Sequence, residues 1–149
     1  MSARPATEPP ECNCFAVRSA ARHVTQLYDQ LLASSGLRTT QFSILAKLSR
    51  RGPLTINRLA EDMAMDRTTL GRNILPLERD GLISIAPAAT DRRAKELHLT
   101  KTGRKRYEAA RTAWSEAQAR FEGTFGAQRA AELRAILRAV VATEFDRPS

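Results

Sequence analysis

Cysteine is nearly missing from this 149-residue chain: Cys12 and Cys14, one residue apart, are the only two. A pair so closely spaced cannot make a disulfide framework, so a reducing cytoplasm is the expected compartment. No run approaches the roughly 20 apolar residues that a membrane span requires, and no membrane partner is expected. The opening "MSARPATEPPE" lacks the apolar stretch of a secretory signal and reads as a disordered arm over residues 1–11. Internal repeats, a glycine-rich phosphate loop, paired carboxylates and a nucleophile motif are also missing, which argues against an enzyme. The two histidines, His23 and His98, stand far from each other, and Cys-x-Cys with such partners lacks the spacing of a zinc site. Neither a metal nor a cofactor is expected. Acidic residues are scarce as well: 16 Asp and Glu stand against 24 Lys and Arg, a net charge of +8.

That surplus suggests a polyanionic partner, and its location sharpens the suggestion. Residues 66–106 hold ten basic and five acidic side chains, five of the eight surplus charges. Around this segment the apolar residues change period. Cys14, Val17, Ala21, Val24, Tyr28 and Leu31 step by three and four, the mark of an amphipathic helix, with Gly36 as its C-cap. A second helix opens at Thr39 or Thr40, runs through Phe42, Leu45 and Leu48, and closes at "RRGP".

Thr55 is a natural N-cap for a short helix burying Ile56, Leu59, Ala60 and Met63. After the tight connection "AMD", Asp66 caps a further helix that buries Leu70, Ile74 and Leu77 and stops at Gly81. Two short helices joined in this way predict a helix-turn-helix. "LISIA" and "KELHL" then alternate with period two about the loop "PAATDRR", which predicts a β-hairpin wing. Two helices complete the chain. One carries Tyr107, Ala110, Trp114, Ala117 and Phe121 and is broken by Gly123 and Gly126; the other carries Leu133, Ile136, Leu137, Val140, Val141 and Phe145.

With Leu70, Ile74 and Leu77 turned inward, Thr68, Arg72, Leu75 and Arg79 face outward and Gly71 lies at the edge. Arginine can donate two hydrogen bonds to guanine, and threonine can meet a base or a phosphate. Gly71 costs a helix roughly 1 kcal/mol relative to alanine, which makes sense where the backbone must approach a groove closely. Pro76 should kink this helix, and Asn73 needs a partner near its buried side. Arg92 and Arg93 at the hairpin tip suit a narrow minor groove, with Asp91 orienting one of them by a bidentate pair. Taken alone, each of these groups reads equally well as solvated surface.

Together, the "LA" of the first helix, "DRTTLGR", "LERDGLI" and "DRR…LT..G" resemble the winged helix-turn-helix core of the MarR family of bacterial transcriptional regulators. The likeness extends over residues 12–146. It implies a mainly α fold with a small β-hairpin wing: a single domain in which a winged helix-turn-helix (38–100) is flanked by dimerisation helices (12–35 and 101–146). It also implies a homodimer, a sequence-specific regulator and in particular a repressor, gripping a pseudo-palindrome of double-stranded DNA within the nucleoid. The DNA-contacting residues would be Arg67, Thr68, Thr69, Gly71, Arg72, Arg79, Arg92, Arg93 and Lys95.

Members of this family release DNA on binding a small molecule, often an aromatic acid, or on cysteine oxidation. "CFA" at Cys14–Ala16 resembles the organic-hydroperoxide-sensing branch, and Tyr28 matches a tyrosine that bonds the sensing cysteine there; Thr39 stands where that branch has a second tyrosine. Cys14 and Tyr28 lie four helical turns apart, so any contact must come from a partner chain. Cys12 could resolve an oxidised Cys14, more easily from the other subunit than across the small strained ring of Cys-x-Cys, or Cys14 could be a small hydrophobe in a dimer core with Cys12 incidental. For a carboxylate ligand, Arg18, Arg22 or His23 could meet the charge while Phe42 and Trp114 stack on a ring. The competing classes are a thiol-dependent redox enzyme built on "CNC" and a non-specific architectural DNA-binding protein.

Overall fold

The computed structural model describes residues 11–149. The arm expected over residues 1–11 lies, apart from Glu11, outside the described residues. Helix α1 spans Asn13–Leu32 and continues into a 3₁₀ turn at Ala33–Ser35. Gly36 ends it at φ +75°, a left-handed conformation that glycine adopts without a Cβ penalty. Helix α2 spans Thr39–Arg51. Thr39 is its first helical residue rather than its cap, because Asp29 of α1 accepts from both the Thr39 N–H (2.7 Å) and its hydroxyl (2.8 Å). An α1 carboxylate therefore satisfies an orphan donor at the head of α2 and favours the positive end of its dipole.

Strand β1 is only Leu54–Thr55, followed by α3 (Ile56–Asp62) and α4 (Arg67–Arg79). The wing is β2 (Ile83–Pro87) and β3 (Lys95–Leu99), and α5 (Lys101–Phe125) and α6 (Ala127–Ala142) follow. The sheet is antiparallel in the order β1-β3-β2, with Leu54 opposite Leu97 and Ile83 opposite Leu99. The two-residue β1 is thus a third strand added to the expected hairpin.

The final helices depart from expectation in two places. Gly123 lies inside α5, and the break falls at Gly126 alone, whose φ of +104° no helix admits. Phe145 lies beyond the end of α6 at Ala142. Pro76 sits within α4, whose helical assignment runs unbroken to Arg79.

The core gathers Leu32, Ile44, Leu45, Leu48, Leu59, Leu70, Leu77, Leu82, Ile83 and Leu97, all fully buried. Each such side chain contributes roughly 2 kcal/mol by leaving water. These residues come from α1, α2, α3, α4 and the wing, so the helix-turn-helix is cemented to the base of its own hairpin. The start of α5 is fitted to the same place. Thr100 accepts from the Gly103 N–H (2.9 Å), donates its hydroxyl to the Gly81 carbonyl (2.7 Å) and its N–H to the Leu82 carbonyl (3.2 Å). No described helix is long and apolar enough to cross a membrane.

Candidate nucleic-acid interface

Thr55 caps α3 by accepting the Arg58 N–H at 3.2 Å, and the chain leaves α3 through Met63, Ala64 and Met65. Ala64 takes φ +51°, the one non-glycine residue with positive φ among those described, and the Met65 N–H reaches the Ala60 carbonyl at 2.9 Å. This sharp turn sets the angle at which α4 leaves. Asp66 then caps α4 twice over. Its carboxylate accepts the Thr69 N–H (2.7 Å) and the Thr69 hydroxyl (2.8 Å). Those two bonds, the backbone one first, hold the Asp66 carboxyl below the usual carboxylate range. The Thr69 hydroxyl is thereby committed to the cap. Asn73 finds its partner one turn back, donating to the Thr69 carbonyl at 2.9 Å.

The outward stripe of α4 is as the periodicity predicts: Thr68, Arg72, Leu75 and Arg79 are exposed, together with Arg67, and Gly71 is half-buried. Nothing would lie within 4 Å of a Cβ added to Gly71, so the glycine answers no packing need within the chain. At the exit of α4, Gly81 takes φ +73° and the Leu82 N–H returns to the Leu77 carbonyl at 2.9 Å, which aims β2 away into the wing.

The wing tip is a tight turn over Asp91–Ala94, closed by the Ala94 N–H on the Asp91 carbonyl at 3.0 Å. The Asp91 carboxylate accepts the Arg93 backbone N–H at 3.0 Å. The bidentate pair with an arginine side chain expected from the sequence is therefore replaced by an Asx turn, in which a short side chain reaches its neighbour's backbone more easily than a long guanidinium folds back. Arg92 and Arg93 stay exposed. Arg79 has a carboxylate at 3.6 Å, from Asp80. Among the described residues, Arg67, Arg72, Arg92, Arg93 and Lys95 form no ion pair within 4.0 Å.

Between the wing and the helix pair runs a polar cleft of about 380 Å³. Arg67, Arg93 and Lys95 line it together with Asn57, which the sequence did not point to, and Thr55, which it singled out only as a helix cap. Both belong to the head of α3, which is brought beside the wing by the pairing of β1 with β3.

The residues considered for sensing lie on the helices that flank this lobe. Cys12 is the N-cap of α1, its sulfur accepting the Phe15 N–H at 3.4 Å, and Cys14 is exposed in the first turn; both thiols are free. Tyr28 is buried and donates its hydroxyl to Gln118 of α5, not to Cys14. Burial, and then the nearby Glu122 carboxylate, raise its pKa above the ordinary tyrosine value.

The five residues considered for a ligand pocket are not brought together within the chain. Phe42 and Trp114 stack with centroids 5.9 Å apart at 16°, beside a cleft of about 290 Å³ that also includes Arg50 and Arg111. His23 borders a different, larger and mainly apolar cleft of about 790 Å³ between α1, the end of α5 and α6. Its walls include Leu27, Phe121 and Phe125, and the Arg129 guanidinium lies 4.2 Å over the Phe125 ring. Arg18 and Arg22 are exposed on α1 and border neither cleft. The two clefts open on different stretches of α5, a separation that only the folded chain reveals.

The family description "MarR family" matches residues 37–95. The transcriptional regulator MosR of M. tuberculosis, solved in complex with DNA, is 36% identical, with 91% of this chain and 100% of that one covered and a TM-score of 0.78. The organic hydroperoxide resistance transcriptional regulator of Bacillus subtilis is 28% identical over 90 residues, which are 60% of this chain and 61% of that protein. The transcriptional activatory protein BadR of Rhodopseudomonas palustris is 29% identical over 93 residues, 60% of this chain and 53% of that protein. The chain thus spans less than two thirds of the length of these two curated relatives. With a solved relative matched along its whole length and the winged helix-turn-helix in place, the chain belongs to the MarR family of transcriptional regulators.

Proposed function

We propose that the protein is a homodimeric, sequence-specific repressor whose two α4 helices enter successive major grooves of a pseudo-palindromic operator. The observation that carries this reading is a set of cations on α4 and the wing, Arg67, Arg72, Arg92, Arg93 and Lys95, with no acidic partner among the described residues. Arg67 and Arg72 offer guanidinium groups to bases and phosphates, and Arg92 and Arg93 offer theirs to the flanking minor groove. Lys95, Asn57 and Thr55 line the cleft between wing and helices, which Arg67, Arg93 and Asp91 also border, and would meet a backbone phosphate there. Thr69 serves by fixing the head of α4 through Asp66. A solved relative with 36% identity carries DNA, which supports the polyanion as nucleic acid.

The dimer is argued from uncovered apolar surface. Phe15 and Val17 of α1, Ile136, Leu137, Val140 and Val141 of α6, and Phe145 are exposed in the single chain. Such a patch at the two chain ends calls for a second copy. As a regulator that binds DNA, the protein would act in the cytoplasm, on the nucleoid when bound.

Release follows from either of two signals. A hydroperoxide would oxidise the Cys14 thiolate to sulfenic acid and leave as the alcohol; a second thiol, Cys12, would then condense with it, losing water. Alternatively, an aromatic acid would enter the large cleft beside His23 and Arg129. An architectural protein would bind without sequence preference, and a thiol enzyme would turn over peroxide with a recycling reductant.

The test is a binding titration on the DNA upstream of the protein's own gene, reduced and hydroperoxide-treated, across one salt series. The repressor reading expects tight binding with steep salt dependence. Loss on oxidation, restored by dithiothreitol, assigns the signal to the cysteines. Indifference to oxidant assigns it to the cleft. Equal affinity for unrelated DNA overturns the reading.

A further inference from the structure

Leu75 is the one large apolar residue exposed outside the terminal helices and tail among those described: 65% of it is open to solvent, and the other seven belong to α1, α6 and Phe145. It stands in the middle of the outward stripe of α4, seven residues after Thr68, three after Arg72 and four before Arg79. Residues at such spacings share one helix face. A leucine side chain on a helix leans back over the preceding turn, which here holds Gly71 and Arg72. At Gly71 there is no side chain, and no atom of Leu75 comes within 4 Å of where a Cβ would stand there, so the isobutyl group does not pack on that edge of its own helix.

A protein surface that covered Leu75 would also have to cover Arg72 and Arg79 and neutralise them. Duplex DNA does both at once, since phosphates flank a groove floor. That floor offers hydrogen-bonding edges and one apolar group, the pyrimidine 5-methyl of thymine. Leucine can answer only the last.

We propose that Leu75 is a specificity-determining residue that selects a thymine in each half-site by packing on its 5-methyl group. This rests on α4 occupying the major groove. Arg72 reads the neighbouring base pair and Leu75 sets the identity of the one beside it, on the side toward Arg79.

The test does not require the operator to be identified first. Duplexes are selected from a random pool with the intact protein, and each thymine of the best duplex is replaced in turn by deoxyuridine, which keeps base pairing and removes only the methyl. Each cytosine is separately replaced by 5-methylcytosine, the other source of the same group. One thymine per half-site is expected to be sensitive, its replacement weakening binding about fourfold, the effect of uncovering one buried carbon. Leu75→Ala, a change on an exposed face that should fold as well as the parent, is expected to bind the thymine and deoxyuridine duplexes equally at that position while still responding to changes at the base read by Arg72. Tight, selective binding with no position at which the variant becomes blind to the methyl overturns the proposal and leaves the repressor reading intact. A gain with 5-methylcytosine at a cytosine, with no thymine sensitive to deoxyuridine, overturns the assignment to thymine. Failure to select any sequence overturns the repressor reading itself, and this proposal with it.

Discussion

Two glycines show how one residue type serves opposite ends. A Cβ on Gly103 would overlap the Leu82 carbonyl oxygen and press on Leu99 Cδ1 at 2.9 Å, so α5 meets the wing base with no room for a methyl. Gly103→Ala is expected to cost about 3 kcal/mol, because backbone must move to admit it. Gly71→Ala meets nothing and is expected to stabilise the fold by up to about 1 kcal/mol, while weakening DNA binding if the groove lies against it. Urea unfolding of both variants, with a DNA titration of the second, checks the pair. Stabilised Gly71→Ala with unchanged affinity would remove the close-approach argument for that glycine.

Asp66 gives the residue scale a pH dependence. Its folded pKa is lowered, so its contribution is present above the unfolded value of about 4 and is lost as pH falls through the folded one. Asp66→Asn, which can still accept the Thr69 N–H, is expected to flatten that acid limb of the stability curve below about pH 4. Unfolding midpoints measured from pH 5 downward decide it; an unchanged limb would assign the acid sensitivity to other carboxylates.

Among the elements, what could be read in advance was whatever obeys a local rule. The period of three and four located all six helices, the last two with displaced ends, and the alternation in "LISIA" and "KELHL" located the wing. The partner of Asn73 was local too, a carbonyl four residues back. Strand β1 escaped because two residues show no period; it exists through Glu96 and Leu97, far along the chain. The place of Asn57 and Thr55 beside the wing was missed for the same reason, since the pairing that carries them there is long-range. Gly123 was misjudged because a helix tolerates glycine at modest cost, whereas Gly126 needs a φ that ends any helix. The effector clefts could not be anticipated, as α1 is too regular to tell which of its faces α5 covers. The wing itself yields a prediction. Replacing Arg92 and Arg93 together with alanine removes four arginines from the dimer and is expected to reduce the slope of log affinity against log salt by about 4, if each neutralises one phosphate. A slope unchanged within error would mean that the tip stays in solvent.

At the scale of the whole molecule, the uncovered side chains of α1 and α6 decide the assembly. Ile136→Asp with Val140→Asp places charge where apolar contact is expected, and should convert a species of twice the 16.5 kDa chain mass into one of that mass in sedimentation. DNA affinity should fall with it, because two half-sites would no longer be gripped together. A wild-type chain sedimenting as a monomer at micromolar concentration would overturn the dimer.

The seating of Thr100 and Gly103 against Gly81 and Leu82 bears on how such a molecule could move. Helix α5 has 25 residues and is about 37 Å long. Its near end is bonded directly to the segment by which α4 leaves for the wing. Its far end walls the large cleft beside α1 and α6. It is therefore a lever with a stiff joint: a tilt of roughly 5° at the cleft would carry the joint through about 3 Å by the same helix geometry. That is comparable with the separation of adjacent base pairs, so a displacement too small to disturb the core is large enough to put a reading helix out of register.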